Sequence, residues 1–162
     1  FATVAIPAIS GCLSSSSNTC PSFPNTESTI CNSSKKSVAE LTSDVSSITT
    51  DGKIELSLTV QQPVSIQPTA HGVYTRRDGT WEGERIVSPQ SNETIRLLPD
   101  KQYHWQFQFG SRESYTRVDT QQNRTVVSLV VHASDPTAIA IPVESEDALI
   151  TVAKTISIKQ SD

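Results

Sequence analysis

Three cysteines, Cys12, Cys20 and Cys31, fall in the first fifth of this 162-residue chain, with seven and then ten residues between them. The three histidines, His71, His104 and His132, stand elsewhere, so the four convergent N or S donors that zinc takes are not grouped. No metal and no cofactor is expected. One disulfide with one thiol left over suits an oxidising compartment, and the odd cysteine is free or bridges two subunits.

Hydrolytic chemistry would need a histidine beside a nucleophile and a buried carboxylate. His104 falls on the polar side of an aromatic strand, His132 ends a strand, and His71 precedes a hairpin. No Gly-x-Ser-x-Gly elbow accompanies them. Glu82 and Glu84 would point the same way on one strand, about 6.5–7 Å apart by strand rise. That spacing suits a glycosidase pair only loosely, and two solvated carboxylates on a hairpin are the simpler reading. A hydrolase would require a cleft joining His104 or His132 to these glutamates. Glu144, Glu146 and Asp147 lack the spacing of a calcium loop. The chain is therefore expected not to be an enzyme.

Aromatic residues offer binding chemistry instead. Tyr74, Arg76, Trp81 and Arg85 are expected on one face of a hairpin, where they would make a contact patch for a glycan or a host-surface protein. The simpler account is an Arg76–Trp81 cation–π pair. Tyr103, Trp105, Phe107 and Phe109 alternate with polar residues; four aromatics in a row are read as core.

Charge removes other classes. The net charge is −4, and the longest basic runs are Lys35-Lys36 and Arg76-Arg77, too little for a phosphate-binding face. No apolar run approaches the roughly 18 residues that span a bilayer. N-x-S/T sequons at Asn32, Asn92 and Asn123 are candidate glycosylation sites. Ser and Thr number 24 and 18, a composition suited to strands and turns facing water.

These residues must be held by strands. From residue 52 the period is two: Ile54, Leu56, Leu58 and Val60 alternate with polar residues. Asp78-Gly79 between extended runs signals a two-residue hairpin turn that sets Arg77 opposite Thr80, Arg76 opposite Trp81 and Tyr74 opposite Gly83. Thr125–His132 reads as a central strand. Residues 35–48 are the one helix candidate, with Val38, Leu41, Val45 and Ile48 at three- and four-residue steps and Ser34 as N-cap. Eight or nine strands without strand–helix–strand alternation point to an all-β antiparallel β-sandwich, immunoglobulin-like or of jelly-roll type. Two regions are expected: residues 1–34 as N-terminal strand and Ser/Cys-rich linker, and residues 35–162 as the sandwich.

Residues 1–9 are apolar and extended, with Phe1, Val4, Ile6 and Ile9 as the side chains of an inter-subunit strand; Pro7 restricts them to an edge or an added strand. A terminal strand on a long polar leash resembles donor-strand pilins in outline, which implies strand exchange between copies. The cysteines before the sandwich and the helix candidate depart from the chaperone–usher pattern. Ile9-Ser10-Gly11-Cys12 also resembles the lipobox of bacterial lipoproteins, which implies lipidation at Cys12. The expectation is a structural subunit of an extracellular filament, pilus or surface adhesin, a homopolymer whose partners are other copies of itself. The alternative is a monomeric secreted module that binds carbohydrate or protein, with or without a lipoprotein anchor.

Overall fold

The computed structural model describes residues 20–32, 38–87 and 93–160, with residues 84–87 described by their backbone alone. Among them the chain forms thirteen strands: β1 Ser28–Cys31, β2 Ala39–Ser43, β3 Ser47–Thr49, β4 Lys53–Val60, β5 Val64–Ile66, β6 His71–Arg77, β7 Thr80–Val87, β8 Ile95–Leu97, β9 Gln102–Gln108, β10 Tyr115–Asp119, β11 Arg124–Ser128, β12 Thr137–Glu144 and β13 Leu149–Lys159. They make two mixed sheets around one hydrophobic core, as in a β-sandwich.

The five-stranded sheet runs β10-β11-β9-β4-β2. Its period-two strands turn Ile54, Leu56, Leu58, Tyr103, Trp105 and Phe107 inward, all fully buried, and leave Ser57, Glu55, His104 and Gln106 on the outer face. The aromatic row is core, as its density predicts. In the eight-stranded sheet β12 lies antiparallel to β13 on one side and to β6 and then β5 on the other. β7 extends β6, and β8 extends β5. The far edge of β13 takes β1 and then β3, both parallel to it.

Three expectations are corrected. The first is the helix over residues 35–48. Residues 33–37 lie outside the described set, and the rest forms β2 and β3. Val38, Leu41, Val45 and Ile48 owe their helical spacing to two short strands separated by a bend. Ala39 and Leu41 point inward at period two, while Val45 is exposed in the bend, where its carbonyl accepts the Ser43 hydroxyl. Ser and Thr bond their neighbouring backbone readily and so support such breaks better than a helix interior. The second is the purely antiparallel sandwich: β9–β11, β13–β1 and β13–β3 are parallel pairs. The third is the linker, because Ser28–Cys31 is a strand of the sheet.

A buried polar network fixes the connection from β5 to β6. The Pro68 carbonyl accepts the Trp105 indole N–H at 3.1 Å and the Thr125 hydroxyl at 2.8 Å. The Thr125 proton being used, the Tyr103 hydroxyl donates to Thr125 at 2.8 Å. Burial raises the Tyr103 pKa, against the lowering effect of its bond to Thr125, so the phenol remains a donor. Every polar atom in this set has a partner, which is what makes burying it tolerable.

Thr125→Val keeps shape but leaves the Tyr103 hydroxyl without its acceptor. The expected loss is about 1–3 kcal/mol in the urea midpoint at unchanged slope; a neutral result would mean that the network does not hold the β5–β6 connection.

Candidate functional site

The outer face of the eight-stranded sheet carries the features most suited to binding. Register aligns small residues across it in a row: Cys31 opposite Ala153, Ala153 opposite Ala140, and Ala140 opposite Gly72. The row forms a trough. The Tyr74 ring folds back over Gly72, where a Cβ would meet Tyr74 Cε2 at 2.6 Å. Tyr74 packs with Ala140 and Ala153, with Cys20 and Trp81 against them, and is 7% exposed. Burial accordingly raises its pKa.

Residues 20–27 cross this face as a strap. Cys20 is disulfide-bonded to Cys31, Cα atoms 5.6 Å apart, closing an 11-residue separation. Further along, Phe23 N–H donates to the Thr151 hydroxyl at 2.9 Å, Thr26 donates to the Phe23 carbonyl at 2.8 Å, and the two threonine hydroxyls meet at 2.6 Å. Glu27 N–H then donates to the Leu149 carbonyl at 2.8 Å, leading into β1. Asn25, with φ of 69°, turns the strap between these anchors. Beyond it lies a cleft of about 310 Å³ with Pro142 and Leu149 in its floor. Pro142 fits an interior strand because it falls where β12 changes partner from β6 to β5 and no ladder bond is needed.

The hairpin has the expected turn: Asp78 and Gly79 both have positive φ, and Arg76 faces Trp81, Arg77 faces Thr80, and Tyr74 faces Gly83. Trp81 is half-buried beside Tyr74, so Tyr74 supports the patch from below and is not its surface. A bulge between Val73 and Tyr74 leaves Glu84 as the extra residue and pairs Arg85 with Val73. The Arg85 backbone therefore pairs outside the register that joins Tyr74 to Gly83 and Arg76 to Trp81. The side chains of Glu84 and Arg85 lie outside the described residues, as do Phe1, Val4, Ile6, Ile9, Cys12 and Asn92.

The other two sequons have structural tasks. Asn32 Oδ1 accepts Thr155 N–H at 2.8 Å and its hydroxyl at 3.0 Å. Asn123 turns the chain at φ of 49°, and the Thr125 of its sequon is fully buried in the Pro68 network.

The histidines do not converge on Glu82. His104 Nδ1 is 2.8 Å from Ser57 Oγ on the outer face of the five-stranded sheet, near the Arg124–Glu55 salt bridge at 2.8 Å. The Ser57–His104 contact was not anticipated, although both residues sit at outward positions of facing strands. Ladder bonds on both sides of β4 and β9 occupy the backbone N–H groups that an oxyanion hole would need. His132 lies against Gly110, beside Asp51. His71 is fully buried with its ring edge-on to Phe107, centroids 5.3 Å apart. Among the described residues neither His71 ring nitrogen has a hydrogen-bond partner. Burial lowers its pKa to about 4, and the nearby Thr69 backbone, which favours the charged form, does not offset this. No group of three or more His, Cys, Asp or Glu that could hold a metal occurs among the described residues.

Compared with protein-family models and with curated proteins, the sequence gives no match.

Two predictions follow from this geometry. Removing the disulfide with Cys20→Ser and Cys31→Ser should cost about 2–3 kcal/mol for a loop of this length. It should also raise quenching of Trp81 fluorescence by acrylamide; unchanged quenching would mean that the strap stays down without it. His71 supplies an acid branch. Its folded pKa, about 4, lies below the usual histidine value of 6.5, so its contribution is present above pH 6.5 and is lost as pH falls towards 4. Denaturant midpoints across that window should show a loss of up to about 3 kcal/mol, which His71→Leu removes.

Proposed function

We propose that the chain is a structural subunit of an extracellular filament or surface adhesin, joined to neighbouring copies through the apolar segment of residues 1–9. The observation that supports this reading is the way the first and last described strands meet. β1 and β13 are adjacent and parallel. Tension applied upstream of β1 and downstream of β13 therefore slides one strand along the other. Hydrogen bonds between parallel strands pulled this way share the load, whereas an antiparallel hairpin pulled at its ends opens one bond at a time. β3, also parallel to β13, adds a second ladder loaded in the same sense.

The disulfide fits the same demand. Residues 20–31, strap and β1 together, form one disulfide-closed loop, so load entering at Cys20 reaches the sheet at Cys31, opposite Ala153 of β13. Asn32 then holds Thr155 on β13 through two further bonds. A disulfide is also at home in an oxidising, extracellular setting.

Light scattering on the full chain and on a version lacking residues 1–10 tests the proposal. Long assemblies that survive dilution, and a monomeric truncation, would support it. Monomers of equal stability in both cases would overturn it.

A further inference from the structure

The cleft beyond the strap is lined by polar groups from four parts of the chain. One wall is the Phe23–Asn25 turn, fixed over the sheet by the Thr26 and Thr151 hydroxyls. The opposite wall is Ser65, Gln67 and Thr94, and Glu144 stands between the walls. Ser65 and Glu144 are register partners, which places both on the outer face. Among the described residues, the side chains of Asn25, Ser65, Gln67, Thr94 and Glu144 make no hydrogen bond within the protein. Thr26, Thr29 and Thr151 on the same face do. Polar groups left uncommitted around one concavity are donors and acceptors available to a ligand.

Their chemistry narrows the class. Two amides, two hydroxyls and one carboxylate can both give and accept bonds, as vicinal hydroxyls require. Phe23, with proline and leucine in the floor, supplies the apolar surface on which the C–H face of a sugar ring rests. Among the described residues no Lys or Arg lines the cleft, and the nearest cation by register, Arg96 opposite Ser65, is outside its lining. A carboxylate without a cation in the lining disfavours sulfated, phosphorylated and uronic-acid ligands. The volume, about 310 Å³, stands at the small end of ligand sites, room for one or two sugar rings.

We propose that this cleft binds a neutral saccharide, with Glu144 and Gln67 as the principal hydrogen-bonding groups and Phe23 as the apolar wall. The site is separate from the hairpin patch at Trp81.

The test uses amide hydrogen exchange read by mass spectrometry, which serves monomer and assembly alike, on the full chain titrated with cellobiose, maltose, mannobiose, lactose and N,N′-diacetylchitobiose. The comparison ligands are 3′-sialyllactose and a synthetic peptide of residues 1–9. The expected result is saturable protection by at least one neutral disaccharide, centred on residues 23–25, 65–67 and 142–144. Glu144→Ala and Gln67→Ala should each weaken it about tenfold or more, as for a lost hydrogen bond to a ligand, while Trp81→Ala leaves it unchanged. Binding should persist in the chain lacking residues 1–10, so this result is independent of whether that chain assembles. Absence of binding by all five disaccharides, binding indifferent to both variants, or occupation only by sialyllactose or by the peptide would overturn the proposal.

Discussion

β12 and β13 are apolar on both faces, and that constraint organises much of the rest. Their inner side chains, Ile139, Ile141, Val143, Ile150, Val152 and Ile156, fill the space between the sheets. Ala138, Ala140, Ala153 and Thr151 point the other way and are also fully buried. A sheet face that must be dry needs a cover, usually helices in a parallel fold. Here the cover is a strap of chain, one tyrosine ring and part of a tryptophan. The trough is shallow because its residues are Gly, Ala and Cys, so a single extended segment suffices to fill it. The disulfide keeps the segment there, at the edge where β1 supplies the last strand.

Inside the sandwich the corresponding demand falls on one carbonyl. The chain between β5 and β6 passes through the core edge with Pro68, Thr69 and Ala70 all buried. A buried backbone acceptor needs partners, and Pro68 receives two from the five-stranded sheet. The bonds therefore join the layers where neither sheet ladder can. His71, next along the chain, is the opposite case: it is accommodated as a neutral ring against Phe107, with polarity unused. Conformational specificity at this end of the core rests on the satisfied set, and pH sensitivity rests on the unsatisfied one.

How much of this was legible follows from the range of each signal. The hairpin was readable down to its register, because Asp78-Gly79 prescribes the turn and the turn prescribes the pairs. Six residues further on, the bulge at Glu84 was not, since nothing local distinguishes Glu84 from its neighbours. The aromatic row of β9 was readable as core from its alternation. β2 and β3 were misread because Val38, Leu41, Val45 and Ile48 satisfy a helical period by coincidence, and only pairing with β4 and β13 decides the matter. The three cysteines permitted several pairings. What selects Cys20–Cys31 is the seating of the strap on Thr151, a contact between residues more than a hundred positions apart. The cleft was invisible for the same reason, as its walls come from residues near 24, 66, 94 and 144.

On the proposed reading, strap and cleft would serve two tasks with opposite demands. Resistance to tension needs strands adjacent, parallel and stapled, with side chains committed to one another, as Asn32 is to Thr155. Recognition needs the reverse, polar groups held in place yet left unpaired. The strap provides both along its length: its disulfide end closes on β1, and its Phe23–Asn25 turn overhangs a concavity while being fixed from behind by two threonines. A rigid wall with free polar groups facing outward loses little entropy when a ligand arrives. The disulfide end and the Phe23–Asn25 turn thus belong to one covalently closed loop, while the cleft's other polar groups, Ser65, Gln67, Thr94 and Glu144, come from outside it.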